Sequence, residues 1–165
     1  MVTRTGTVPG TDSVTPGGAP IIGGDYRSSD GPGPEVMSAE TLIGDSVANA
    51  AGENLGEIKA IMLDVTSGRI AYAVLSFGGV FGIGSKLFAI PWSALTLDAE
   101  EHRFILDCDK ERLENAPGFD KDHWPTMADP SWAKELHAYY KVRPYWDDVQ
   151  PDDRDRRTTS GSSIY

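Results

Sequence analysis

From Thr41 onward, apolar positions come in short runs separated by glycine-containing turns, the texture of a β-rich domain. Leu42-Ile43 predicts a short strand before Gly44, and residues 46–49 predict a second, ended by the turn Ala51-Gly52-Glu53-Asn54. Residues 56–65 predict the longest strand. Ile58, Ala60 and Met62 share one face and Ile61, Leu63 and Val65 the other, so the apolar phase changes near Ala60-Ile61. A bulge, or a bend that buries first one face and then the other, produces this slip. Thr66-Ser67-Gly68 predicts a turn. Residues 69–76 return as a strand with Ile70, Tyr72 and Val74 on one side and Ala71, Ala73 and Leu75 on the other. Both faces are apolar, so this strand is either central or covered by another element. Residues 86–91 predict the next strand, with Pro91 at its end or on an edge. Residues 95–98 and 103–106 flank the turn Ala99-Glu100-Glu101-His102 as a closing hairpin. Short strands joined by turns, without intervening helices, predict a mainly β fold, a small antiparallel β-barrel.

Helical signals follow. Asp109 is placed to cap a short helix over 110–115, which Pro117 ends. Asp129-Pro130 is an N-cap and first-position pair for a C-terminal helix over 131–141. Trp132, Leu136, Tyr139 and Tyr140 form a stripe on it, which predicts a face packed on the barrel. The chain therefore divides into a disordered Gly/Pro/Ser/Thr-rich tail over 1–36, a barrel domain over 37–120, an aromatic-rich helical extension over 121–147 and a disordered charged tail over 148–165. Ile21-Ile22 and Tyr26 form a small apolar island in the first tail.

Charge narrows the partners. The net charge of −10 repels phosphate backbones and anionic lipid headgroups, which argues against nucleic acid as a partner. The single cysteine, Cys108, forms no intrachain disulfide. No secretory signal and no apolar run long enough to cross a membrane are seen, so a cytoplasmic location without direct membrane insertion is expected.

Leu42-Ile43-Gly44, Gly52 with Leu55-Gly56, Asp64 with Gly68, Gly79 with Phe81-Gly82-Ile83-Gly84, Pro91-Trp92, and Leu113 with Ala116-Pro117-Gly118-Phe119 stand in the order and spacing of the PRC-barrel family. Over residues 38–119 the chain resembles that family, named for the cytoplasmic domain of the photosynthetic reaction centre H subunit, and looks like its stand-alone bacterial members. The resemblance implies a six-stranded barrel used for protein–protein contact. Two relatives suggest alternatives: an accessory component of a membrane redox or photosynthetic complex, or a ribosome-assembly factor. The first relative is anchored by a membrane helix and the second carries an RNA-linked domain, and neither feature is evident here.

Candidate chemistry is sparse. Gly79 and Gly84 have the spacing of a phosphate-binding loop, but Ser85 precedes Lys86 and inverts the required order. His102, His123, His137 and Cys108 lack metal-ligand spacing. Asp107 and Asp109 flank Cys108 and disfavour its thiolate. No catalytic, cofactor or metal residues are assigned, and no enzymatic activity is expected. The two-sided strand and the loop after it hold more apolar groups than a barrel this size readily hides. Tyr72, Leu75, Phe77, Val80 and Phe81 are therefore the expected contact face for an unidentified protein partner or a homodimer.

Overall fold

The computed structural model describes residues 17–23, 35–78 and 84–148. Among them seven strands form one sheet: β1 (Ile21–Ile22), β2 (Ser46–Ala48), β3 (Asn54–Asp64), β4 (Arg69–Phe77), β5 (Lys86–Pro91), β6 (Leu95–Asp98) and β7 (Arg103–Leu106), in the order β1-β6-β7-β2-β3-β4-β5. Three helices accompany them: α1 (Ala39–Leu42), α2 (Lys110–Glu114) and α3 (Pro130–Tyr139).

The domain is mainly β, as expected, but the six-stranded antiparallel ring is corrected in two respects. The sheet is mixed, because β1 runs parallel to β6 and β2 parallel to β7. It also keeps two edge strands, β1 and β5, instead of closing. Edge β5 is capped at one point, where Leu87 and Phe119 exchange backbone bonds of 2.9 and 2.8 Å. Ile21-Ile22, within the stretch read as a tail, forms β1 against Leu97 and Asp98. Leu42-Ile43 is no strand. Leu42 ends the one-turn helix α1, in which the Thr41 hydroxyl donates to the Ser38 carbonyl at 2.6 Å.

The phase slip in β3 is a register shift between Ile58 and Ala60 in its pairing with β4, and a second shift follows between Met62 and Leu63. The extra residue is Lys59 of β3 at the first shift and Ala71 of β4 at the second, and each bends its strand and raises the twist, so the long β3–β4 ribbon curls over the core. Gly56 sits where β3 passes closest to β4. Its φ is +129°, and a Cβ there would lie 2.0 Å from the Ser76 carbonyl oxygen. Only glycine fits such an approach.

Val47, Leu55, Ile58, Leu75, Phe88, Ile90, Leu95, Phe104 and Leu106 come from β2 to β7 and meet in one inner core. β4 lies between β3 and β5, and its other face is covered by the C-terminal extension. There Leu136 of α3 packs with Tyr72 and Ala89, and the Trp132 ring stands edge-on to Tyr72 at 5.3 Å. Asp129 caps α3 by accepting from the Ser131 amide at 2.9 Å. Arg112 donates to the Tyr139 carbonyl and the Tyr139 hydroxyl donates to the Arg112 carbonyl at 2.5 Å, which ties α2 to α3.

Candidate functional site

The β3–β4 turn presents apolar groups to solvent on a braced backbone. Asp64 Oδ1 accepts from the amides of Thr66 and Ser67, both at 3.1 Å, and so folds the turn around its own carboxylate. The Tyr145 hydroxyl donates to Asp64 Oδ2 at 2.9 Å, and Arg69 Nη1 donates to the Tyr145 carbonyl at 2.6 Å. The turn is thus held to the 3-10 helix Tyr145–Asp148 at the far end of the chain. These donors keep the Asp64 carboxyl below the usual carboxylate range, the Ser67 amide and then the Tyr145 hydroxyl contributing most. Burial, reinforced by its bond to Asp64, pushes the Tyr145 phenol up to about 12. On this frame Leu63 is 61% and Val65 90% exposed, two positions apart on one face of the strand end.

Behind the turn lies a cavity of about 640 Å³ between the β3–β4 ribbon and the C-terminal extension. Met62, Leu63 and Val65 line it from the ribbon and Met127, Pro130 and Trp146 from the extension, with Asp64, Thr66, Tyr72, Lys134 and Tyr145 among its polar groups. The Tyr72 hydroxyl is buried with no hydrogen-bond partner among the described residues. Burial first, then electrostatic interaction with Tyr145 and with the Asp64 carboxylate, holds its proton on far above the ordinary phenol range.

The expected contact face is not assembled as predicted. Tyr72 is 1% exposed and Leu75 fully buried, so neither reaches a partner from this fold. Leu75 points into the inner core and Tyr72 lies under α3. The physical reason is that the surplus apolar face of β4 is covered by the chain's own extension. Phe77 is half-buried, with its ring 6.2 Å from Phe88. Val80 and Phe81 lie outside the described residues. Leu63 and Val65, which carry the exposed site, were read only as one face of a strand. The missed signal is an apolar valine directly beside the polar turn Thr66-Ser67-Gly68.

The other chemistry-bearing groups are engaged locally. Burial pushes the Cys108 thiol up, and its Sγ donates to the Asp109 carbonyl at 3.5 Å. His137 is buried, and its Nδ1 lies 2.7 Å from the Ala133 carbonyl, so Nδ1 carries the proton and donates. Desolvation lowers the His137 pKa. His123 is exposed, with Nδ1 2.8 Å from Asp120 Oδ1. Among the described residues no three His, Cys, Asp or Glu side chains gather as a metal site, and no helix is long and apolar enough to cross a membrane.

Comparison with known families decides the class of this scaffold. Residues 34–113 match the PRC-barrel domain family, the family that the glycine and Pro-Trp spacing resembles. This stretch is a PRC-barrel domain. No curated protein matches the chain. The PRC-barrel is a protein-interaction type of module. Its matched span ends within α2, so α3 and the 3-10 helix Tyr145–Asp148 lie beyond it. The cavity is therefore walled on one side by the PRC-barrel itself and on the other by this chain's own extension.

Proposed function

We propose that the chain is a non-catalytic, cytoplasmic protein-interaction module, and that its contact surface is the β3–β4 hairpin tip. The observation that carries this reading is the exposure of Leu63 and Val65 on a turn fixed by Asp64, Tyr145 and Arg69. A mobile loop loses ordering entropy when a partner binds; a braced turn has met that cost in folding. Apolar side chains held out by such a turn favour burial against a partner, at roughly 25 cal/mol per Å² removed from water. The partner is a protein because the surface is apolar and the chain strongly acidic, which disfavours phosphate backbones. The non-catalytic part is supported by the local engagement of Cys108 Sγ and His137 Nδ1, each bonded to a nearby backbone carbonyl.

The test compares wild type with Val65→Asp in affinity capture from the native host, alongside sedimentation to detect self-association. The variant is expected to fold as wild type and to lose the partner, or the second copy, that wild type retains. An unchanged set of partners and an unchanged sedimentation profile would remove the hairpin tip from consideration.

A further inference from the structure

The cavity behind the hairpin tip has features that protein contact through Leu63 and Val65 does not use. Its volume of about 640 Å³ lies within the usual size of small-molecule sites, roughly 300–1,000 Å³. Most of its wall is apolar, with Met62 from the ribbon and Met127 from the extension among its lining residues. Methionine is unbranched and polarisable, so such a wall adapts to irregular apolar bodies.

The polar side chains in the wall include Asp64, Thr66, Tyr72, Lys134 and Tyr145. Asp64 is already served by the Thr66 and Ser67 amides and the Tyr145 hydroxyl. Lys134 lines the same space and has no hydrogen-bond or ion-pair partner among the described residues. Tyr72 is 1% exposed, and its hydroxyl is an unpartnered donor; Asp64 and Tyr145 line the same cavity. An orphaned buried polar group costs about 1–3 kcal/mol, so a native structure that holds one calls for a partner. The orphaned Tyr72 hydroxyl and the solvent-exposed Lys134 ammonium are both donors. A ligand that satisfies them brings acceptor oxygens, and the lysine favours those that carry negative charge.

We propose that this cavity binds a small amphipathic carboxylate. Its apolar body lies against Met62, Leu63, Val65 and Met127. Its carboxylate accepts from the Lys134 ammonium and the Tyr72 hydroxyl. A rotamer adjustment of Tyr145 at the cavity edge opens the last step to the Tyr72 oxygen, a scale of motion common on binding. A cationic ligand is disfavoured by Lys134, while the Asp64 carboxylate in the same wall is taken up by the Thr66 and Ser67 amides and the Tyr145 hydroxyl; a purely apolar ligand leaves the Tyr72 hydroxyl unserved.

The test uses the full chain with three probes of one chain length: decanoate, decanol and decyltrimethylammonium, all below their micelle-forming concentrations. Binding is read by calorimetry, and the site by methyl shifts of methionine-labelled protein. Decanoate is expected to bind saturably with shifts at Met62 and Met127, and at least tenfold more tightly than decanol or the cation. Lys134→Met is expected to weaken decanoate about tenfold and leave decanol unchanged. Tyr72→Phe, which keeps the ring packing, is expected to weaken decanoate severalfold. Equal affinity for decanoate and decanol, indifference to Lys134→Met, shifts confined to other methionines, or no binding of decanoate would each overturn the proposal. The decanoate measurements use no substitution at Leu63 or Val65, so loss of decanoate binding and an unchanged Val65→Asp capture result are separate outcomes.

Discussion

The inner core and the outer cluster of this molecule sit on opposite faces of the same strands, yet they are built from different residues. Inside, Leu55, Ile58, Leu75, Phe88, Ile90 and Phe104 interdigitate with no polar atoms among them. Outside, Tyr72, Trp132, Tyr140 and Tyr145 gather around Leu136 and Ala89, and most of these rings carry a polar tip. His137 joins them, 5.6 Å from the Tyr72 ring and 5.1 Å from Trp146. The inner core needs only apolar volume and a bent sheet. The outer cluster has to reconcile ring packing with hydroxyl and imidazole groups, and two of those hydroxyls, on Tyr72 and Tyr140, remain unpartnered. The difference assigns roles: the inner core sets the fold, and the outer layer shapes a surface with an opening in it.

The comparison breaks most sharply in the inner core. Phe88→Ala removes a fully buried ring and is expected to cost about 3–5 kcal/mol, enough to unfold much of the population, read as a denaturant midpoint. Gly56→Ala is expected to cost about 2–4 kcal/mol, because its Cβ meets the Ser76 backbone and its φ is left-handed. Leu136→Ala should cost about 2–3 kcal/mol, at the lower end for a buried leucine because it lies in the outer layer. Its signature differs as well: the near-ultraviolet signal of the aromatic cluster should melt before the far-ultraviolet signal of the sheet. Coincident melting would merge the two regions into one cooperative unit.

Acid should act on the outer layer first. The His137 pKa is lowered in the fold by burial, with Asp147 opposing that shift, so the unfolded chain takes up the proton at a higher pH than the folded one. Stability contributed by neutral His137 is therefore full above the ordinary value of 6.5 and falls as pH drops from there toward the lowered value. Melting temperature measured from pH 7.5 to pH 5 should decline more in wild type than in His137→Phe. Equal slopes would show that this histidine is solvated. The smallest effect on stability belongs to Tyr145→Phe, since solvent screens the Asp64 carboxylate. Its clearer readout is the Asp64 carboxyl, whose pKa should rise toward the ordinary value in a side-chain titration.

The sequence made the inner core legible where local pattern determines geometry. The apolar slip at Ala60-Ile61 located the bulge in β3, Pro91 marked the end of β5, and Asp129-Pro130 opened α3. Both apolar faces of β4 were visible, but the pattern could not say what covered the second one. Its cover, Leu136 and Trp132, lies more than fifty residues downstream, and no local signal pairs such distant segments. The parallel pairings of β2 with β7 and β1 with β6 were hidden for the same reason. The error at Tyr72 and Leu75 followed directly: apolar surplus was read as partner surface when it was internal packing. Leu63 and Val65 went unnoticed because alternation fixes which residues share a face and leaves open whether that face meets protein or water.

The hairpin tip is the proposed outward-facing contact surface. Its most direct test is site-specific photocrosslinking in living cells, with a benzoylphenylalanine placed at position 65 and, as a control, at the exposed position 114 on α2. The account predicts a discrete crosslinked species from position 65 and none from position 114. A species from position 114 with nothing from position 65 would contradict it.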